Sequence, residues 1–329
     1  MLSSRPLALA ALLVTLPACG FALSPDPDGP GDTAAADPVD LLFVVDNSDS
    51  MQLHATALAG SLELLEASLA DAGVTDWRAG ITTSSVYYDD GPTGAIDPGE
   101  AGTLIGGATV DTVEALRSDL LCKATCWDQS MPSDPGYTCG DAAPDEPSEE
   151  YLDCECGAGA WQGNCGTGQE QPLEAAFLAM CRAVDSPPAE CSVFPDGAAE
   201  VFGSGDAHSN TGLGDRATFV VLVTDEGDSS LRTESGDAAV PGDVETVVSA
   251  YTSLFAAFPA AVRVSAIGPG WDGSDGSCLL GAQEWGVDRF FGVVENTGGV
   301  YEPLTDLGAD CASLPMEHIV ATMAAAAGE

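Results

Sequence analysis

The strongest signal along the chain is a set of short apolar runs, each ending abruptly in polar residues. Val39–Val45 (VDLLFVV) is rich in branched apolar side chains, the pattern of a strand covered on both faces. It stops at Asp46-Asn47-Ser48-Asp49-Ser50-Met51, after which Leu58, Leu62, Leu65 and Leu69 recur at helical spacing. Strand, polar turn and helix open a doubly wound unit, in which ligands sit beyond the carboxyl ends of strands. Arg78–Val86 (RAGITTSSV) reads as a second strand, residues 103–110 as a short antiparallel edge, and Val110–Leu121 as a helix. Glu170–Arg182 (EQPLEAAFLAMCR) reads as another helix, and Ala217–Thr224 (ATFVVLVT) as the strongest strand, ending at Asp225-Glu226-Gly227-Asp228. A helix over Val240–Phe258, a strand over Val262–Ile267, a last strand over Gly299–Pro303 and a closing helix over 313–327 complete the pattern. Strands alternating with helices predict an α/β fold with a mainly parallel, doubly wound sheet.

The N-terminus has a different grammar. Arg5 precedes an apolar run, Leu7–Leu16, too brief to span a bilayer, and the run ends in Leu16-Pro17-Ala18-Cys19-Gly20. This resembles the bacterial lipobox, which implies a signal peptide over 1–18 and a lipid on the Cys19 thiol. Gly20 after that cysteine, rather than Asp, favours the outer membrane by the same resemblance. Residues 19–38, rich in Pro, Gly, Ala and Asp, read as an acidic tether. Membrane attachment is then expected through the lipid alone.

Composition narrows the partners. Nine Lys and Arg stand against 52 Asp and Glu, for a net charge of −43. Phosphate contacts need clustered basic side chains, so nucleic acid is excluded as a partner. Solubility of an exported surface, a salty habitat and bound cations all suit such acidity. Apart from Cys19, ten of the eleven cysteines remain, an even number that in an exported chain reads as a disulfide framework. The spacings at Cys122/Cys126 and Cys154/Cys156 do not match the paired knuckles of a zinc site. Cys181–Cys191 and Cys278–Cys311 are the plausible local bridges. Six of the ten crowd into 122–165, an insert among Pro, Gly and acids with few apolar residues, which needs covalent staples. It precedes Thr167 directly, and either shapes a binding surface or is a stapled excursion.

Three segments carry a family likeness. Asp46-x-Ser48-x-Ser50 after a hydrophobic strand resembles the first segment of the metal-ion-dependent adhesion site of von Willebrand factor A and integrin inserted domains. Cys165-Gly166-Thr167-Gly168 before a helix resembles the second, and strand-final Asp225 the third. The resemblance covers residues 39–327 apart from the insert at 122–165. It implies a divalent ion, Mg2+ foremost and Mn2+ or Ca2+ as alternatives, on Asp46, Ser48, Ser50, Thr167 and Asp225. Oxygen donors of this kind suit hard cations. In that family the hydroxyls bind directly, and an acidic group from a partner completes the ion's shell. Glu226 and Asp228 beside the site read either as solvated turn acids or as outer-shell charge.

No H-E-x-x-H, nucleophile elbow or phosphate loop occurs, and His54, His208 and His318 are scattered. The expectation is therefore a binding module rather than an enzyme: an envelope lipoprotein that holds a protein or surface polymer through its metal site. A scaffold role with a stabilising metal is the alternative, and a metal-dependent hydrolase a lesser one. One fold serves many functions, so the choice rests on the site.

Overall fold

The structure is a computed structural model, and it describes residues 37–71, 73–86, 101–127, 131–141, 144, 147–161, 165, 170–192, 209–230, 243–269 and 286–303. The signal segment, Cys19, Thr167, His208, His318, Cys278, Cys311 and the closing helix over 313–327 lie outside these residues.

Five strands form one all-parallel sheet: β1 (Val39–Val45), β2 (Trp77–Thr83), β3 (Ala217–Val223), β4 (Val262–Gly268) and β5 (Tyr301–Pro303). Their order across the sheet is β2-β1-β3-β4-β5. The central pair is in full register, from Val39 opposite Ala217 to Val45 opposite Val223. Two-residue alternation splits each strand between two cores. Leu41, Phe43, Val221 and Val223 face one side, where they meet Leu58, Leu62, Leu65 and Leu69 of α1 (Gln52–Asp71). Leu42, Val44, Val220 and Leu222 face the other, beneath α4 (Pro172–Ala183), α5 (Val244–Ala256) and α6 (Val287–Thr297). Strands covered on both faces need apolar residues at both parities, which explains the unbroken runs in the sequence. At the sheet's amino end, buried Asp40 takes a two-oxygen contact from the Arg78 guanidinium at 2.8 and 3.1 Å, tying β1 to β2.

Three features depart from the sequence pattern. Residues 103–110 are not an edge strand. Gly106 and Gly107 both have φ 77°, which turns the chain out of extended conformation. What remains is a single antiparallel bridge from Val110 to Ala79 and a parallel one from Ala108 to Thr211. The amphipathic helix α6 carries Val287, Phe290, Val293 and Val294 on its buried face, a periodicity that glycines at 286, 292 and 298 disguise.

The insert is also better built than its composition suggests. After α2 (Val113–Asp119) and a π-helical turn over Leu120–Ala124, it contains α3 (Glu149–Cys156). Ser148 caps α3 by accepting from Tyr151 N at 3.2 Å. Tyr151, Leu152 and Trp127 join the core on the α1 side, so the insert borrows the domain's core instead of building its own. Disulfides Cys122–Cys156, Cys126–Cys165 and Cys139–Cys154 staple it, and Cys181–Cys191 forms the local bridge read from spacing. Among the described residues no helix is long and apolar enough to cross a membrane.

Candidate functional site

The strand order reverses direction between β1 and β3, so their carboxyl ends splay helices to opposite faces and leave a crevice between them. Asp46 and Asp225 sit there. The backbone places them: Asp46 N donates to Val223 O at 2.8 Å, continuing the β1–β3 ladder one residue past the strands. The Thr224 hydroxyl then donates to Asp46 Oδ2 at 2.7 Å, and Ser48 N to Asp46 Oδ1 at 2.7 Å. These bonds fix a carboxyl group that is itself 0% exposed. The turn brings the Ser48 and Ser50 hydroxyls to 2.8 Å from each other, both half-buried. Of the five residues that the sequence nominates as metal ligands, four therefore gather at one crevice. The fifth, Thr167, is outside the described residues.

The end of β2 and the start of the α4 segment complete the rim. Ser84 N donates to Val45 O at 3.0 Å, and the Ser85 hydroxyl to Asn47 Oδ1 at 2.7 Å. Glu170 pairs with Ser85 in an antiparallel bridge, Gln171 N donates to Ser84 O at 2.9 Å, and Ser229 N donates to Glu170 O at 2.8 Å. Glu170 is thus pinned from both sides over the carboxyl end of β1. Sequence reading passed over it because it looks like the first residue of a helix. Its buried position depends on pairing with a residue 85 places away.

The electrostatics of this rim are unusual. The Ser84 hydroxyl, both oxygens of Glu170, the Gln171 side-chain carbonyl and both oxygens of Asp225 are buried without a hydrogen-bond partner. Buried polar atoms are normally satisfied, so such a concentration marks a place built for something else. Burial pushes Asp46 up to about 6, against the pull of Ser48 N–H and the Thr224 hydroxyl, with the charge of Asp225 adding to the rise. Burial likewise pushes Asp225 up to about 6, although the nearby Ser50 hydroxyl favours its ionised form. Glu170 rises furthest, to about 9, from burial and then from the charges of Asp46 and Glu226. Burial raises Glu226 as well, with the charges of Asp46 and Asp49 adding to the rise against a hydrogen bond with Glu170. Burial and mutual repulsion make these four carboxyl groups resist ionisation, and among the described residues no cationic charge offsets them. A hard cation supplies that charge, and the donor set of hydroxyl and carboxylate oxygens fits one.

Asp228, in contrast, is no solvated turn acid. It is fully buried, accepts from the Ser230 hydroxyl at 2.6 Å and from Leu173 N at 3.4 Å, and faces Arg289 Nη1 at 3.6 Å. With Ser230, whose hydroxyl accepts from Glu174 N at 3.1 Å, it caps the amino end of α4. It is a brace that locks the Asp225 loop to α4 and α6. His54 is buried in α1, where burial lowers its basicity.

No protein-family model matches the sequence, and no curated protein does either. Among solved structures, the chain is similar to the pilus adhesin SpaC from Lactobacillus rhamnosus GG. One structure of it aligns at 12% identity and a TM-score of 0.38, over 89% of this chain and 31% of that one. Its open conformation aligns at 14% identity and a TM-score of 0.39, over 89% and 30%. The chain thus spans about a third of the adhesin's length. Overlap this loose transfers neither residues nor activity.

Proposed function

We propose that this chain is an exported lipoprotein, anchored through Cys19, whose A-type domain binds a protein or surface-polymer ligand through a divalent ion. Asp46, Ser48, Ser50 and Asp225 hold the ion, with Thr167 as the further hydroxyl that the family resemblance implies. One observation carries the reading. The carboxyl groups of Asp46 and Asp225 stand at the ends of adjacent parallel strands, at the point where strand order reverses, amid buried oxygens that lack partners. Disulfides in the described domain support export, since such bridges persist in oxidising compartments. The ion supplies a Lewis-acidic centre to which an oxygen of the ligand attaches. The chain's part is to hold the ion rigidly, with Thr224 and Ser48 orienting Asp46. The rim residues hold the ligand set in place and balance its charge.

The test is twofold. Calorimetric titration of the oxidised, metal-stripped protein should show one site for Mg2+ or Ca2+, lost in Asp46→Asn and Asp225→Asn. Capture of envelope components by immobilised protein should then require the ion, disappear with EDTA and fail in the same variants. Capture that survives EDTA and both substitutions sinks the bridge and favours the scaffold reading, in which the metal only stabilises the fold.

A further inference from the structure

We propose that Glu170 is itself a ligand of this ion, so that the segment before α4 contributes a carboxylate and the site belongs to the calcium class. The inference rests on the metal-binding reading above and goes beyond the residues that the sequence motif nominates.

Three backbone contacts place Glu170. It bridges to Ser85, its successor Gln171 donates to Ser84 O at 2.9 Å, and its own carbonyl accepts from Ser229 N at 2.8 Å. Residues 84 and 85 follow β2, and Ser229 belongs to the loop after β3, so Glu170 spans the crevice above Asp46, which ends β1. Glu170 is 2% exposed, no N–H or hydroxyl donates to either carboxyl oxygen, and the Glu226 carboxyl lies within reach of it. The groups that act on it are acids, Asp46 and Glu226.

An arrangement of this kind is costly unless something fills it. A buried polar group without a partner costs roughly 1–3 kcal/mol, and a charged one more. Structural acids avoid the cost by facing a cation or a cap, as Asp40 does with Arg78 and Asp228 with Arg289 and the first turn of α4. Glu170 has neither. A proton shared between Glu170 and Glu226 would still leave the oxygens of Asp225 without a partner, whereas a cation at the strand ends satisfies them.

The number of carboxylates selects the ion. With Glu170 counted, the proposed ligand set comprises three acids and two serine hydroxyls. Ca2+ accepts six to eight oxygens in flexible geometry, whereas Mg2+ demands a tight octahedron and keeps several waters. A third carboxylate therefore favours Ca2+.

The experiment is calorimetric titration of Ca2+ and of Mg2+ into EDTA-stripped, oxidised protein, for the natural chain, Glu170→Gln, Glu170→Asp and Asp46→Asn. The natural chain should bind Ca2+ at least about tenfold more tightly than Mg2+. Glu170→Gln should weaken Ca2+ by about 10- to 100-fold and erase the preference, with Glu170→Asp intermediate. Asp46→Asn should abolish both. Thermal unfolding in EDTA checks the fold: Glu170→Gln should melt no lower than the natural chain, because it sheds a buried acid, while Ca2+ should raise its melting temperature less. Unchanged Ca2+ affinity in Glu170→Gln, beside loss in Asp46→Asn, overturns the role of Glu170 and leaves the metal site standing. Failure of the natural chain to bind either ion overturns both.

Discussion

Replacing Asp228 with Ala tests whether the loop that presents Asp225 is held by a buried brace. The carboxyl group is pushed up to about 6 by burial, so an assay at pH 7.5 meets it ionised. The substitution removes acceptors for the Ser230 hydroxyl at 2.6 Å, Ser230 N at 3.2 Å and Leu173 N at 3.4 Å, together with the carboxylate that Arg289 faces at 3.6 Å. Loss of a helix cap costs about 1 kcal/mol. Removing one partner of a buried ion pair costs about 3–5 kcal/mol. These costs overlap because the same carboxylate serves both, so the expected loss is about 4 kcal/mol. Urea unfolding of the oxidised protein, followed by tryptophan fluorescence, gives the difference from midpoint and slope. A double-mutant cycle with Arg289→Met isolates the pair. The double variant should be more stable than the sum of the single losses predicts, by about 1–3 kcal/mol. A single-variant loss below about 1 kcal/mol, or strict additivity in the cycle, would show that Asp228 is not the brace described.

Other substitutions probe the rest of the fold. His54 is buried and its basicity lowered, so the unfolded chain takes up its proton first as the pH falls below the ordinary 6.5. That group's stabilisation is complete above 6.5 and is lost as the pH drops toward its folded value. The His54→Gln variant should therefore show a flatter acid limb, by at most about 1.4 kcal/mol per pH unit, in urea midpoints at pH 7.5, 6.5 and 5.5. Parallel limbs for the two proteins would refute this. Gly102 has φ 71°, and a Cβ there would meet Ala179 N at 2.6 Å and the Leu178 carbonyl carbon at 2.7 Å, both backbone atoms of α4. The Gly102→Ala variant should lose roughly 3 kcal/mol, seen as a melting temperature lower by several degrees in circular dichroism; an unchanged melt would show that the α4 backbone yields freely. Cys126 and Cys165 lie 39 residues apart, so the paired Ser variant should lose up to about 4 kcal/mol. The loss should be smaller where Cys122–Cys156 already constrains the same loop, and equal stability under oxidising and reducing conditions would exclude the effect.

Much of the domain was legible in the chain because its signals are local. Val39–Val45 and Ala217–Val223 announce themselves as buried strands, since every position must be apolar when both faces are covered. The leucines at 58, 62, 65 and 69 trace the buried stripe of α1, because helical periodicity projects directly onto one face. That Asp46 and Asp225 share one rim was also visible, since residues that follow adjacent parallel strands meet at one edge, while their nomination as ligands with Ser48 and Ser50 came from the family resemblance. The short bridge Cys181–Cys191 followed from proximity along the chain.

Tertiary contact alone decided the rest. Whether Gly106 and Gly107 continue a strand depends on their backbone angles, which glycine leaves free. Tyr151 and Leu152 look like lone apolar residues in a polar insert until three disulfides press them against the domain core. Along the chain Asp228 reads as a turn acid and Glu170 as the first residue of a helix. The first faces Arg289, 61 residues away, and the start of α4, while the second is carried into a crevice of acids by its pairing with Ser85. The identity of a residue sets which charge it can carry, but its depth and the sign of its neighbours set what that charge must bind, and those are properties of the folded chain.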